Sequence, residues 1–150
     1  MNFKRFGKDG AMGVQTEFTS IDDQAGQVIE QIRDHHSGKI CCAYGLSLGG
    51  KILSRVLERN EVTIEHSILD GYKSVYTSGL ESIPEVDIHF WYGTKEAFVA
   101  KAQVKHLKSL CPKAEIKIFK NMNHGQLLID RPEEVASLID KFNEVTPDKL

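Results

Sequence analysis

Ser47 stands at the centre of Gly45-Leu46-Ser47-Leu48-Gly49, and this G-x-S-x-G run constrains the chain more than any other stretch. It follows a short apolar, β-prone segment, Ile40 to Tyr44, and opens a stretch in which Ile52, Leu53, Val56 and Leu57 recur at helical spacing. A serine between a strand and a helix lies on a sharp, strained turn that lifts its hydroxyl clear of the backbone. Such a turn calls for small residues two positions to either side, where a Cβ would clash, and glycine stands at both. The backbone N–H of Leu48, at the start of the helix, has no intrahelical acceptor and can face a developing oxyanion. Strand, turn and helix together make Ser47 a candidate nucleophile.

Strand-like and helix-like patterns alternate along the rest of the chain. Residues 1 to 18 are rich in glycine and charge, follow no sustained period, and read as an irregular arm. From Ser20, an N-cap with Asp23 three residues on, Ile21, Ala25, Val28, Ile29 and Ile32 form the apolar stripe of a helix. That helix closes at His35, His36 and Ser37-Gly38, where the histidines complement the C-terminal dipole. Lys39 to Tyr44 reads as a strand buried on both faces, and the helix after Ser47 runs to Arg59-Asn60. Val62 to Leu69 is a second strand closed by Asp70-Gly71, and residues 72 to 84 read as a loop or short broken helix. Val86 to Tyr92 is a third strand; from about Glu96 a helix turns Ala97, Ala100, Val104, Leu107 and Cys111 inward and stops at Pro112. Ala114 to Phe119 alternates as a fourth strand, and Asn121 to Gly125 is a turn. A last helix, capped by Asp130 with Pro132 in its first turn, carries Val135, Leu138, Ile139 and Phe142. The alternation predicts an α/β fold, a parallel sheet with helices on both faces, in one domain over residues 1–150.

Composition excludes several classes of function. A net charge of −2 and a pI near 6.3 leave no basic footprint for nucleic acid or an anionic membrane. No run approaches the roughly 18 apolar residues of a membrane span. The basic start, Met1 to Gly7, has no apolar stretch behind it, so a cytoplasmic protein is expected. Cys41, Cys42 and Cys111 match no disulfide or zinc spacing and read as buried thiols, and no metal is expected.

In a parallel sheet, sites collect at the carboxyl ends of the strands. Ser47, Asp70, Glu96 and His124 all fall there. His124 follows the fourth strand and precedes Gly125, which lets the loop bend sharply, so it is the candidate general base. His66, His89 and His106 lie inside elements where packing accounts for them. An acid must hold the imidazole in its tautomer, and both Asp70 and Glu96 stand between serine and histidine in chain order. Asp70-Gly71 also suits an ordinary turn, and Glu96 also suits the first turn of a helix, so the residues themselves leave the acid open.

These residues resemble the α/β-hydrolase superfamily. Gly45 to Gly50 is similar to its nucleophile elbow, Asn123-His124-Gly125 to its histidine loop, and residues 128 to 142 to its closing helix. Gly93-Thr94-Lys95-Glu96 stands where the family carries G-x-x-D/E with the usual acid, so the resemblance favours Glu96 and leaves Asp70 as the alternative used by some members. Phe18-Thr19-Ser20-Ile21, Gly45 to Gly50 and Lys95-Glu96 are similar to a group of small bacterial hydrolases of unassigned substrate. The likeness covers about residues 9 to 145.

The resemblance implies a partial core of about four strands out of the family's eight, with the lid and the N-terminal strands missing. The Ile40 to Tyr44 strand then exposes an apolar edge, from which homo-oligomerisation or partial disorder is expected. One oxyanion donor is lost with the missing loop, a matter of about 3 kcal/mol in transition-state stabilisation. The implied activity is serine hydrolysis of a small-molecule ester or thioester, with Ser47 as nucleophile, His124 as base, Glu96 or Asp70 as acid and Leu48 N–H at the oxyanion, without a cofactor. The alternative is a catalytically impaired remnant that acts through a partner chain.

Overall fold

The four expected strands pair side by side, in chain order, into one parallel sheet. A computed structural model describes residues 5–7, 10–12, 20–71 and 86–144. The strands are β3 (Lys39–Leu46), β4 (Thr63–Asp70), β5 (Asp87–Gly93) and β6 (Glu115–Phe119). Between and around them lie α1 (Ile21–His36), α2 (Leu48–Arg59), α3 (Ala97–Leu110), α4 (Gln126–Asp130) and α5 (Pro132–Glu144). Ser20 caps α1 by accepting the Asp23 N–H at 3.1 Å. Ser37 and Asn60, both left-handed, terminate α1 and α2.

Helices cover both faces. On one, Ala25, Ile29 and Ile32 of α1, Leu53, Val56 and Leu57 of α2 and Ala100 and Leu107 of α3 pack with Ile88, Phe90 and Tyr92 of β5. On the other, Val135 of α5 and Leu127 of α4 pack with Ile68, Trp91 and Phe119. Residues 88 to 92 thus feed both cores by alternation.

Some expectations are corrected. β3 is not buried on both faces: only Gly45 in it is buried, because the described sheet places β3 at an edge, with β4 as its sole strand neighbour there. It also runs two residues beyond Tyr44, since Gly45 pairs with Leu69 and Leu46 with Asp70. Asp130 does not cap the last helix. It ends α4, where its carboxylate accepts from Gln126 Nε2 at 2.8 Å, and Pro132, lacking an N–H, begins α5 afresh. Within the stretch read as an irregular arm, β1 (Arg5–Gly7) and β2 (Gly10–Met12) pair as a short antiparallel hairpin. The rest of residues 1–18, and the loop expected over 72–84, lie outside the described residues.

Candidate active site

β3 passes into α2 through one residue, Ser47, at φ 53° and ψ −110°. Positive φ is costly for a residue with a Cβ, and the surroundings hold it there. The Ser47 N–H donates to the Asp70 carbonyl at 2.8 Å, and the Ser47 carbonyl accepts the Lys51 N–H at 3.2 Å as the first bond of the helix. A Cβ on Gly45 would stand 2.5 Å from the Gly49 carbonyl oxygen and 2.7 Å from Gly50 Cα, so only glycine lets the helix start so close to the strand. The same expectation fails at Gly49, where a Cβ would meet nothing within 4 Å among the described residues. Leu48 opens α2, so its N–H has no acceptor within the helix.

Glu96 and His124 meet from neighbouring strand ends. After β5 the chain makes a single 3₁₀ turn, Thr94–Glu96, which brings the Glu96 carboxylate back onto the Gly93 N–H at 3.0 Å through Oε1. The other oxygen, Oε2, lies 3.1 Å from His124 Nδ1. Glu96 is buried and His124 half-buried. The turn and the loop after β6 are laced together: Met122 O accepts the Lys95 N–H at 3.0 Å, and Thr94 Oγ1 accepts the Asn121 N–H at 2.8 Å. A Cβ on Gly93 would fall 2.1 Å from Met122 O, so glycine is required for this contact. Asn123 Oδ1 accepts the His124 N–H at 2.9 Å, and Gly125 at φ 70° turns the chain into α4.

Asp70, the other candidate acid, ends β4 and is 3% exposed. Its Oδ2 accepts a short hydrogen bond from the Tyr44 hydroxyl. Burial pushes its carboxyl above the usual range, the Tyr44 hydrogen bond pulls it back, the Glu96 charge pushes it up and His124 pulls it down. Burial, together with the neighbouring Asp70, raises the Tyr44 hydroxyl as well.

Asp70-Gly71 also joins the two halves of the site. Its backbone holds Ser47, and a Cβ on Gly71 would stand 2.4 Å from His124 Cε1 and 2.5 Å from Nδ1, so the imidazole rests against the Gly71 backbone. Gly125, next to His124, lies beside the Leu46 side chain. Ser47, Asp70, Glu96, His124 and the Leu48 N–H are thus gathered at the carboxyl edge of the sheet. No hydrogen bond joins the Ser47 hydroxyl to His124 among the described residues. Nor do the described residues hold any group of three or more His, Cys, Asp or Glu able to bind a metal ion, or a helix long and apolar enough to cross a membrane.

No protein-family model matches the chain, and no curated protein matches its sequence. Solved structures do. An α/β hydrolase family protein from Desulfitobacterium hafniense superposes with a TM-score of 0.69 at 16% identity, over 86% of this chain and 79% of that one. The chain has the α/β-hydrolase fold. A predicted CIB-like hydrolase from Thermoplasma acidophilum shares it with a TM-score of 0.65 at 17% identity, over 85% of this chain and 61% of that one. So does a carboxylesterase structure from the ammonia-oxidizing thaumarchaeon Nitrososphaera gargenis, with a TM-score of 0.64 at 14% identity, over 94% of this chain and 77% of that one. At these identities the likeness speaks for the α/β-hydrolase fold, and the chemistry rests on the site.

Two participants escape sequence reasoning. Tyr44 reads as one more apolar strand residue, yet its hydroxyl reaches Asp70; the signal was a tyrosine one residue before the motif, diagonal to an aspartate at the neighbouring strand end. Gly71 reads as a turn glycine, yet it seats the imidazole.

Proposed function

We propose that this protein is a serine hydrolase acting on carboxylic esters or thioesters. The observation that carries the reading is the Glu96–His124 pair, 3.1 Å apart, at the same edge of the sheet as a serine on a positive-φ strand-to-helix turn. With Nδ1–H donated to Glu96, the basic nitrogen of neutral His124 is Nε2, the atom a general base needs free for a serine proton. Ser47 Oγ attacks the acyl carbonyl while His124 takes its proton; the Leu48 N–H faces the oxyanion; His124 returns the proton to the leaving alkoxide or thiolate. Water, activated by the same imidazole, then releases the acid from the acyl-serine. The hydrolase and carboxylesterase neighbours support this class of reaction.

One observation favours a second reading, a catalytically impaired form that acts through a partner chain: the Ser47 hydroxyl and His124 are not hydrogen-bonded. Free enzymes often close this contact only with substrate bound. Intact mass after incubation with a fluorophosphonate separates the two. An adduct on the wild type and none on Ser47→Ala is the outcome expected of a serine hydrolase; a folded wild type that takes no adduct supports the impaired form.

A further inference from the structure

We propose that the cavity between α5 and strands β5 and β6 is a binding site for a small organic anion, whose apolar body rests on Trp91, Leu138 and Phe142 and whose carboxylate is held by Lys117 and Lys141.

Sequence pattern and register build the cavity. β5 alternates between the two faces of the sheet, so Ile88, Phe90 and Tyr92 enter one core while His89 and Trp91 face α5. β6 lies in register with it, Glu115 beside His89 and Lys117 beside Trp91. α5 brings Leu138, Lys141 and Phe142, positions i, i+3 and i+4 of one helix face, over the same ground. Here β6 offers the helix a glutamate and a lysine in place of apolar side chains, so helix and sheet do not close on each other. A cavity of about 370 Å³ remains. That is near the lower end of the roughly 300–1,000 Å³ of small-molecule sites, which suits a single-ring compound.

The polar groups on the wall decide the sign of the ligand. Lys117 and Lys141 are exposed, and neither forms an ion pair among the described residues; Lys117 Nζ stands over the Phe119 ring at 5.7 Å. Such lysines lay their methylene stems along apolar surface and keep the ammonium group at the rim. The carboxylate among the lining residues, Glu115, is already engaged, its Oε2 lying 3.2 Å from Nδ1 of the buried His89. Burial holds the His89 imidazole below its usual range, so it adds no charge at neutral pH. The floor is apolar: Trp91 is buried, and the Phe142 ring packs on the His89 ring with centroids 4.6 Å apart. An anionic head at the lysines with an apolar body on the rings satisfies both parts of the cavity. An inorganic anion would leave the floor bare, and a neutral hydrocarbon would leave the ammonium groups without a partner. The site lies on the α5 side of the sheet and does not depend on the serine-hydrolase reading.

Trp91 is the only tryptophan in the chain, so its fluorescence reports on this cavity. With 2% of its surface exposed, it is poorly reached by a quencher free in solution. The probe is 4-nitrobenzoate, a single-ring anion that quenches indole emission on contact, and 4-nitrobenzamide is its neutral counterpart. The expected result is saturable quenching by the acid, with the amide bound about three- to tenfold more weakly, the scale of two exposed charge contacts. Lys117→Gln combined with Lys141→Gln should weaken the acid by the same factor and leave the amide unchanged. Both lysines are exposed, so thermal unfolding of this variant should match that of the wild type. Quenching that rises linearly without saturation overturns the proposal, as does equal affinity for acid and amide, or an affinity for the acid that the lysine variant leaves unaltered. Binding at Ser47 is separated by blocking it: quenching that persists with a fluorophosphonate adduct in place supports the α5 cavity, and quenching that disappears overturns it. Should the wild type take no adduct, the serine-hydrolase reading falls and the lysine variant alone decides this one.

Discussion

The His124 imidazole lies against the backbone of Gly71, so close that a methyl group built there would stand 2.4 Å from Cε1. Gly71 also has φ +86°, a conformation that costs other residues about 1 kcal/mol or more. Gly71→Ala therefore has two consequences of different size. The backbone cost is modest and leaves the protein folded. The steric one pushes the imidazole off its seat beside Glu96. Fluorophosphonate labelling should slow by about a hundredfold or more, the scale of a general base's contribution, with a melting temperature lowered by only a few degrees. Labelling at the wild-type rate would mean that the ring is not held where it rests.

Glu96→Gln should cost far more activity than Asp70→Asn. Glu96 touches Nδ1 directly, and an amide in its place can present N–H to that nitrogen and favour the wrong tautomer, which costs on the order of a thousandfold or more. The Asp70 carboxylate accepts from the Tyr44 hydroxyl instead, and its replacement leaves the Glu96–His124 pair in place. Ester turnover or labelling rates of the two variants rank them. The reverse order would transfer the role of the acid to Asp70.

The pattern of periods carried most of this fold, because β5, buried on both faces, turns fully apolar toward Tyr92, while α1, α2 and α5 each show one stripe. The residues Ile40 to Tyr44 look alike whether or not a neighbour covers them, so the edge position of β3 was legible only through the resemblance, which implies that the neighbouring strand is missing. The break before Pro132 was not legible, as Asp130 has the composition of a cap and instead closes α4 against Gln126. At the site, Ser47 and His124 were legible because a glycine-flanked turn and a strand-end histidine have few other uses. The residues themselves left Asp70 and Glu96 open, as both stand at strand ends in the right order, and only the likeness of Gly93-Thr94-Lys95-Glu96 to G-x-x-D/E favoured Glu96. In the structure Glu96 is the one that meets His124, because Gly93 packs on the Met122 carbonyl and sets the Glu96 turn against the His124 loop.

Gly45 and Gly49 should part company on substitution. A Cβ at Gly45 meets the Gly49 carbonyl and Gly50 Cα, backbone atoms that cannot swing aside, so Gly45→Ala should destabilise by about 2–3 kcal/mol or more. Gly49 lies in the first turn of α2 with open space around it, and Gly49→Ala should be neutral or stabilise by up to about 1 kcal/mol through helix propensity. Urea midpoints of both variants measure the contrast. Equal losses would show that the helix start is crowded at both positions.

Cys42 is expected to be a poor nucleophile. Burial first, and the neighbouring Cys41 second, push its thiol up to about 11. The thiolate is the reactive form, so near neutral pH only about one part in ten thousand is available. Alkylation by iodoacetamide, read by peptide mass, should be very slow at pH 7 and rise about tenfold per pH unit up to that value. Rapid modification of Cys42 at neutral pH would contradict the shielding.

Ser47 itself should trade stability for chemistry. At φ 53° and ψ −110° a residue with a Cβ carries strain of about 1–3 kcal/mol, which the Asp70 carbonyl and the first turn of α2 impose. Ser47→Gly removes that strain and adds about 0.5–1 kcal/mol of unfolded-state freedom, so the net expectation is a gain of about 1 kcal/mol. Ser47→Ala keeps the Cβ and the strain, and should unfold at nearly the wild-type urea concentration. Both variants lose the fluorophosphonate adduct. A Ser47→Gly protein that unfolds at lower urea than Ser47→Ala would mean that the turn is relaxed, and that its positive φ is no measure of what holding the hydroxyl costs the fold.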